Sequence, residues 1–380
     1  MNIHIVFLIA GLNMMAYRAS KVLLSLFAIE LGVAQFFIGI MIAMYGVFQL
    51  VFALYAGKLS DRLGVRYPMQ FGSAGLALGM LLPFVFPGIP ALYASATLIG
   101  ASHIFYNVAI QNLVGYLSTA ETRMRNVSNF TLIASFASIL GPLMAGVSID
   151  HVGHGWTYFG LAVLPMVAVV IVVLFARGLR QQQAEKSASE VKVVDAASLL
   201  TNIPLRRVLV LGGIVLTGND LFQFYMPIYG RSIDLSASAI GAVMSCFGVA
   251  AFVVRVFLPT LSNRLGPSKL FLYSILLGAF GYLLVPMFEH AVMLGVVAFV
   301  LGLGVGCCQP LALVMVYERT PPERTGEALG LRLTINNMMH ISVPLVFGVV
   351  GSAFGIVPVF VANAIMLASG ALLVKSAGKS

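Results

Sequence analysis

The chain has 380 residues, of which 60% are hydrophobic and only 9% are charged, and its mean hydropathy is +0.99. Soluble domains contain about 25% charged residues, so this composition excludes an ordinary soluble protein and indicates a chain embedded mostly in lipid. The formal charge of +9 does not indicate a nucleic-acid partner, because the Lys and Arg residues form short groups between apolar runs.

The cysteines and the polar residues of the apolar runs give no sign of an enzyme. Cys246, Cys307 and Cys308 all lie inside apolar runs, where a small polarizable side chain packs well. No His-Glu metal cluster, Ser-His-Asp set or pair of carboxylates occurs within these runs. We therefore expect no enzyme activity, no metal and no cofactor.

Apolar runs recur along the whole chain at lengths that suit membrane helices. Such a helix needs about 20 mostly apolar residues to cross the hydrocarbon core. The runs predict an all-α membrane protein with twelve transmembrane helices. The predicted spans begin near Ile3, Gln35, Tyr67, Ala91, Val127, Trp156, Val208, Ala237, Leu270, Ala291, Gly326 and Val357.

The basic residues between the spans predict the orientation. If both termini are cytoplasmic, nearly all loop Lys and Arg residues fall on the cytoplasmic side, and the outer loops hold only Arg231. An excess of Lys and Arg in cytoplasmic loops is the usual determinant of topology. We expect a multi-pass protein of the cell (inner or plasma) membrane with both termini in the cytoplasm.

The second half of the sequence repeats the first at an offset of 202 residues. Ile38-Gly39 aligns with Ile240-Gly241, and the run from Leu59 to Gly64 aligns with the run from Leu261 to Gly266. A period this long indicates a duplicated six-helix module rather than a solenoid repeat. We predict an N-terminal six-helix bundle at 1–178, a polar cytoplasmic linker at 179–205 and a C-terminal bundle at 206–380.

The turn after the second span resembles the signature loop of the major facilitator superfamily. It reads Gly57-Lys58-Leu59-Ser60-Asp61-Arg62-Leu63-Gly64-Val65-Arg66. The resemblance covers the whole chain and implies two pseudo-symmetric six-helix bundles, the major facilitator fold. It also implies a cytoplasmic gate, in which Asp61 would act against the other half. Val65 stands where the family usually has a basic residue. The predicted gate residues are Gly57, Asp61, Arg62, Gly64 and Arg66.

A second motif lies in the fifth span. Gly141-Pro142-Leu143-Met144-Ala145-Gly146 is similar to the glycine-proline motif of proton-driven antiporters in this superfamily, with Ala145 in place of one glycine. Proline bends a helix and small neighbours permit close helix packing. The alternative is an ordinary packing kink, which Pro344 in the eleventh span also suggests.

Two ionisable residues lie deep within spans. Arg18 and Asp220 are 202 residues apart, so they occupy equivalent positions in the first and seventh spans. Charges at bilayer depth persist where they face a cavity or each other. We predict a cross-half ion pair that breaks as the halves move and then allows Asp220 to accept a proton. The alternative is a static pair that only stabilises the fold.

Further polar residues at helical spacing predict one mixed polar and aromatic cavity. Each of them alone is more often an interhelical hydrogen-bond partner than a ligand contact. With Arg18 and Asp220, the predicted lining consists of His103, Tyr106, Asn107, Gln111, Asn219, Gln223, Gln309, Arg332, Asn336 and His340.

The resemblance favours a secondary transporter that works by alternating access, with proton-coupled efflux of a drug or metabolite. The cavity candidates carry more positive than negative charge, so proton-coupled uptake of an organic anion such as a carboxylate is the alternative. A lipid or lysolipid flippase on the same fold is a third reading. The expected partners are a small-molecule substrate, protons and the lipid bilayer, and the expected state is a monomer.

Overall fold

The computed structural model describes residues 3–119, 122–175, 201–320 and 324–377, which form helices and turns without any strand. The helices are α1 Ile3–Glu30, α2 Gln35–Leu63, α3 Arg66–Val85, α4 Ile89–Tyr116, α5 Arg123–Phe175, α6 Ile203–Ser232, α7 Ala237–Leu265, α8 Pro267–Leu284, α9 Ala291–Gly306, α10 Cys308–Glu318, α11 Thr325–Phe354 and α12 Ile356–Ala377. The all-α prediction is confirmed.

Two of these boundaries affect the number of membrane spans. The backbone of α5 leaves the helical conformation at Gly153, so α5 consists of two successive helices. In contrast, α9 and α10 are separated only by Cys307 and together make one span.

Within the described residues, nine stretches are long and apolar enough to cross a membrane, and one of them, Ser128–Phe175, has 48 residues. Division of that stretch at Gly153, together with α4 and the shorter apolar stretch Ile356–Leu372 of α12, would make twelve, and the count of twelve spans stays a prediction.

The start of the seventh predicted span differs from the prediction. Helix α6 begins at Ile203 rather than near Val208, so the last three residues of the predicted linker are helical. The reason is local: Asn202 accepts a hydrogen bond from the backbone N–H of Leu205 at 3.2 Å, and Pro204 suits the first turn of a helix.

The duplication is visible in the element boundaries. Helices α2 and α7 have the same length of 29 residues, and their first residues, Gln35 and Ala237, are 202 positions apart. The glycines that follow them, Gly64 and Gly266, have φ values of 72° and 77°. Only glycine adopts this conformation without a steric cost, so the repeat preserves the turn as well as the helices.

The chain forms two compact units, and each of them is made of two separate segments of the sequence. Unit 1 comprises residues 1–191 with 236–241, and unit 2 comprises residues 192–235 with 242–380. Unit 1 therefore includes the first residues of α7. The bundle boundaries at 178 and 206 remain a prediction.

Unit 1 has a hydrophobic core that combines residues from α1, α3, α4 and α5. Tyr106 of α4 is buried within this core. It packs against α3 at Gly72, where an added Cβ would lie 2.7 Å from the Tyr106 Cβ. The buried core residues include Val6, Ile9, Ala10, Val65, Met69, Tyr106, Ala109, Ile110, Leu113, Ala168 and Val172.

The start of α7 packs tightly on α5 within unit 1. A Cβ on Gly146 would lie 2.2 Å from the carbonyl oxygen of Ala237. A Cβ on Gly241 would lie 2.6 Å from the carbonyl oxygen of Pro142. The Asp150 carboxylate accepts hydrogen bonds from the backbone N–H groups of Ala237 at 3.1 Å and Ser238 at 2.7 Å. A carboxylate stabilises a helix N-terminus through these donors and the helix dipole.

This packing predicts that Gly146→Ala destabilises the protein. The new methyl group would overlap backbone atoms, and overpacking of this kind costs about 1–3 kcal/mol. We expect a lower midpoint of thermal unfolding for the purified protein in detergent. Gly160→Ala in the same α5 is the control, because no atom lies within 4 Å of its added Cβ. An unchanged or higher midpoint for Gly146→Ala would contradict the close approach.

Candidate functional site

An aromatic and polar cluster lies around Tyr17 in unit 1. The Tyr17 ring stacks on His103 of α4 with a centroid distance of 3.7 Å and an interplanar angle of 10°. Gln49 of α2 donates a hydrogen bond to the Tyr17 hydroxyl at 2.9 Å, and Tyr45 donates to Ser20 at 3.3 Å. These contacts fix side chains of α1, α2 and α4 in one place.

Two cations of α1 belong to this cluster. The ammonium group of Lys21 lies 5.0 Å from the centre of the Tyr17 ring and 5.6 Å from that of Tyr45. Arg18 is one turn before Lys21, on the same side of the helix. Both charges are close enough to His103 to act on its ring electrostatically. The cluster is therefore strongly cationic.

The aromatic contacts of Lys21 offset part of the cost of its charge. A Lys or Arg at the centre of a membrane helix costs about 2.5–3.5 kcal/mol on the insertion scale. A cation–π contact returns about 0.5–2 kcal/mol. The contacts of Lys21 with the two rings therefore offset part of its cost in the bilayer.

Two described carboxylates of unit 1, those of Glu30 and Asp150, have partners at helix ends. Glu30, the last residue of α1, pairs with His154 at 2.5 Å, and His154 also stacks on Phe27 with a centroid distance of 5.1 Å. Asp150 is held at the start of α7. These two carboxylates thus stabilise helix ends of unit 1.

The other predicted lining residues of α4 have different environments. Gln111 is exposed and donates a hydrogen bond to Asn107 at 3.0 Å, as their spacing of four residues suggests. Tyr106 is buried in the core of unit 1, and its hydroxyl has no hydrogen-bond partner among the described residues. Its burial favours a packing role over the predicted role in a cavity lining.

In unit 2, the carboxylate of Asp220 is in hydrogen-bond contact with Nδ1 of His340. Asn219 donates a hydrogen bond to the other carboxylate oxygen at 3.1 Å, and Gln223 donates to Asn219 at 3.4 Å. The side chain of Asp220 is 12% exposed and that of His340 is 34% exposed. Asp220 thus has a partner within its own unit.

Both members of this pair stand near the middle of long helices. Asp220 is central in α6 and His340 is central in α11, which corresponds to the middle of the bilayer if these helices span it. Tyr282 of α8 donates a hydrogen bond to the carbonyl oxygen of Gly218 and interacts electrostatically with Asp220. The pairing of Asp220 with Arg18 remains a prediction.

A second polar group of unit 2 links α11, α10 and α6. Arg332 donates hydrogen bonds to the side-chain oxygen of Gln309 at 2.8 Å and to its carbonyl oxygen at 3.3 Å. Gln309 in turn donates to the carbonyl oxygen of Gly212 at 3.3 Å. Asn336 is half-buried on α11 between Arg332 and His340. Gln309 therefore positions the guanidinium group of Arg332.

The two sequence motifs are only partly described. Gly64 ends α2 with a φ of 72°, as a tight turn requires, and Arg66 begins α3 with its guanidinium 6.0 Å from the Tyr67 ring. The side chains of Asp61 and Arg62, and the surroundings of Gly57, lie outside the described part of the chain. The gate interaction of Asp61 remains a prediction.

The glycine-proline motif of α5 contacts the cationic cluster directly. A Cβ on Gly141 would lie 2.8 Å from the Cβ of Arg18, so α5 packs against α1 at this residue. Pro142 lies inside the continuous part of α5, and Gly146 contacts the start of α7. The motif thus sets the position of Arg18, which the sequence alone did not indicate.

Sequence reasoning missed several members of the unit 1 cluster. Tyr17, Tyr45 and Gln49 were not among the predicted cavity residues, although Tyr17 directly precedes Arg18. Gln49 is a polar side chain inside an apolar run, which was a usable signal. The stack of Tyr17 on His103 joins α1 and α4, and no spacing within one helix predicts it.

The hydrogen bonds of Gln309 predict that Gln309→Leu destabilises the protein. The substitution removes an acceptor from a partly buried guanidinium group, and such a bond contributes about 1.5–3 kcal/mol. We expect a lower midpoint of thermal unfolding for Gln309→Leu. In the double variant Gln309→Leu with Arg332→Met, the midpoint should fall by less than the sum of the decreases in the two single variants. Gln111→Leu, at an exposed position, is the control. Strictly additive effects would refute the coupling.

Comparisons with known proteins agree with this fold. A family model described as Major Facilitator Superfamily matches residues 6–341 and, in a second match, residues 208–377. Multidrug resistance protein MdtG of Citrobacter koseri is 22% identical over 377 residues, covering 96% of this chain and 91% of that protein. MdtG of Enterobacter lignolyticus is 22% identical over 338 residues, covering 87% and 79%.

Solved structures give the same result. The crystal structure of nucleoside transporter NupG has a TM-score of 0.82 at 14% identity, with 100% of each chain covered. The crystal structure of peptide transporter POT in complex with sulfate has a TM-score of 0.79 at 14% identity, covering 99% of this chain and 94% of that chain. At such identities the structures establish the fold alone. With the family match over most of its length, the chain belongs to the major facilitator superfamily.

Proposed function

We propose that this protein exports drugs or related small molecules across the cell membrane and is driven by the proton gradient. The similarity to multidrug resistance proteins, which extends over 96% of the chain, supports the substrate class. Membership of the family supports transport by alternating access. We propose no catalytic role for any residue. The pair formed by Asp220 and His340 is the observation that carries the proton coupling.

The pair is suited to carry a proton because its net charge changes at the centre of two helices. With an ionised Asp220 and a neutral His340 the pair has a charge of −1, and one added proton brings the net charge to zero. Charge at bilayer depth is costly, so this proton alters the relative free energies of the conformations that shield or expose the pair. A difference in proton affinity between two states is what couples a proton to a conformational change.

The groups around the pair affect the proton affinity of Asp220. Asn219 holds one carboxylate oxygen, Tyr282 acts on the carboxylate from α8, and Arg332 stands two turns before His340 on α11. Neither Asn219 nor Tyr282 adds a charge near neutral pH. His340 and Arg332 are then the basic groups of unit 2 that bear most directly on Asp220.

We expect Asp220→Asn to abolish proton-driven flux. Asn retains the shape of Asp220 and one acceptor oxygen but cannot carry the negative charge. Flux of an MdtG-type drug substrate into or out of proteoliposomes is measured with and without a pH gradient. Stimulation by the gradient should disappear, while exchange of labelled for unlabelled substrate without a gradient persists. His340→Gln should shift the pH dependence of the stimulation.

The control is Asp234→Asn, the same substitution in the turn after α6, where Asp234 has a φ of 58° that Asn tolerates well. It should behave as the unsubstituted protein. If gradient-driven flux survives in Asp220→Asn, the pair does not couple the proton to transport. The efflux function would then depend on another proton-binding site.

The topology and the assembly state belong to the same proposal. Both termini and the linker at 179–205 face the cytoplasm, and a monomer is the working unit in the bilayer. The loop charges support this orientation, since Lys and Arg concentrate on one side of the spans.

We expect single introduced cysteines to report this orientation. In a background without Cys246, Cys307 and Cys308, Ser187→Cys in the linker should resist a membrane-impermeant maleimide in intact cells. Glu289→Cys in the predicted outer loop should react, and both should react after permeabilisation. Labelling of Ser187→Cys in intact cells would show that the linker faces the outside and would contradict the predicted topology.

Uptake of an organic anion by proton symport is the second candidate, and the cationic cluster of Arg18 and Lys21 favours it. It differs from efflux in the direction of coupled movement. The same proteoliposome assay with the gradient reversed distinguishes the two, because symport moves substrate and proton in the same direction.

A further inference from the structure

A buried polar network joins three helices of unit 2 beside Asp220. We propose that Asn363 of α12 is a positioning residue of the proton site, which acts through Tyr282 of α8 and so sets the proton affinity of the pair formed by Asp220 and His340. The inference rests on the proposed role of this pair in proton coupling. It adds a helix, α12, that has no member among the predicted site residues.

The first argument is the continuity of the contacts. Thr217 of α6 donates a hydrogen bond to the side-chain oxygen of Asn363 at 3.0 Å, and the side chain of Asn363 also interacts with Tyr282. Tyr282 in turn donates a hydrogen bond to the carbonyl oxygen of Gly218 and interacts electrostatically with Asp220. A single side chain, that of Tyr282, therefore connects Asn363 to the carboxylate.

The second argument is burial. Asn363 and Tyr282 are both 0% exposed, and Thr217 is 4% exposed. Hydrogen bonds and electrostatic interactions are stronger in such a region of low dielectric than in water. Solvent therefore does not screen Asp220 from a change at Asn363.

The third argument comes from the sequence repeat, whose offset of 202 residues also holds for the backbone. Residues with a positive φ occur in pairs at this separation. The pairs are Gly32 with Asp234, Gly64 with Gly266, and Gly153 with Gly355. Positions in the two units can therefore be compared one by one.

The three network residues have apolar counterparts in unit 1. At the offset of 202 residues, Thr217, Tyr282 and Asn363 correspond to Met15, Met80 and Leu161. Met80 and Leu161 are buried, so the scaffold accepts apolar side chains at these places. Apolar groups of the same shape can replace a hydrogen-bonded pair at little cost in stability. Stability of the fold therefore does not require the network, which occurs in the unit that contains Asp220.

Other ionisable groups of unit 2 lie on the helices around α6. His340 of α11 is in contact with Asp220, Arg332 lies two turns before it, and Arg255 of α7 donates a hydrogen bond to a carbonyl oxygen of α9. Helix α9 itself has no ionisable side chain. The ends of α10 and α12 carry Cys308, Tyr317, Glu318 and Lys375. The substitutions that probe the network leave all of these groups unchanged.

A purely structural role for Asn363 predicts different behaviour. If Asn363 only tied α12 to α6, its loss would lower the midpoint of thermal unfolding and leave protonation of the pair unchanged. The pH at which the pair takes up a proton therefore separates the two roles.

The test follows protonation of the pair in the full-length protein reconstituted in lipid, without substrate or gradient. The signals are the infrared C=O stretch of a protonated Asp220 and the ring modes of a protonated His340. Each is assigned by its loss in Asp220→Asn or His340→Gln. The pH midpoint of these signals is measured for each variant.

We expect Asn363→Leu, which introduces the residue type of position 161, to raise this midpoint by about 0.5–1 pH unit, as the loss of one neutral hydrogen bond implies. Protonation removes the net negative charge of the pair, so less polar surroundings favour the protonated form. Tyr282→Phe should shift the midpoint in the same direction. In the double variant the shift should not exceed that of Tyr282→Phe alone, because Asn363 acts through Tyr282.

Two matched controls accompany these variants. Tyr273→Phe makes the same change at an exposed position of α8. Asn13→Leu replaces a buried asparagine of unit 1 that donates a hydrogen bond to the carbonyl oxygen of Ile9. Both should leave the midpoint unchanged. Thermal unfolding shows that each variant is folded, and Thr217→Val is a milder change that should give a smaller shift to higher pH.

An unchanged midpoint in Asn363→Leu and Tyr282→Phe would overturn the inference. So would a shift to lower pH, an equal shift in Asn13→Leu, or the absence of a titrating signal from the pair. Strictly additive shifts in the double variant would also overturn it, since Asn363 would then not act through Tyr282.

Failure of the inference and failure of the proposed function are distinguishable. If the midpoint is unchanged while gradient-driven flux depends on Asp220, the inference fails and the proposed function stands. If the midpoint shifts as expected but a pH gradient drives no flux, the proposed function fails, and the network still sets the proton affinity of the pair.

Discussion

The cost of an ionised side chain in lipid is the constraint on which this structure depends. A charge at the centre of a membrane helix costs about 2.5–3.5 kcal/mol, so each such charge needs a partner or a polar cavity. In unit 2, Asp220 has His340 and Asn219, and Arg332 has Gln309. In unit 1, aromatic rings rather than carboxylates accompany Lys21. The two units thus meet the same constraint by different means.

Close packing by small residues determines where these charges lie. At Gly141 the backbone of α5 comes so near α1 that an added Cβ would be 2.8 Å from the Cβ of Arg18. Small residues permit such an approach between membrane helices, where burial of apolar surface provides little driving force. Gly146 plays the same part for the start of α7. One short motif therefore fixes both a cation and a helix end.

Sequence patterns predict the positions of helices more directly than the contacts of side chains, for a physical reason. Hydropathy and glycine positions are local properties, so helix starts such as Gln35 and Ala237 were found at the correct residue. The pairing of Asp220 with His340 depends on how α6 and α11 pack, which no local property encodes. The symmetry of the repeat favours Arg18 as a partner of Asp220, and that pairing stays a prediction; His340 was also among the predicted lining residues.

The repeat also explains how one scaffold can carry two kinds of chemistry. Arg18 and Asp220 occupy equivalent positions, 202 residues apart, as do Asn107 and Gln309. Asn107 accepts a hydrogen bond from exposed Gln111, whereas Gln309 binds the guanidinium group of Arg332. Duplication thus preserves the places where polar groups are tolerated in the bilayer, while their charge is free to diverge. At the first of these pairs of equivalent positions, the divergence has placed the cation Arg18 in one unit and the carboxylate Asp220, which contacts His340, in the other.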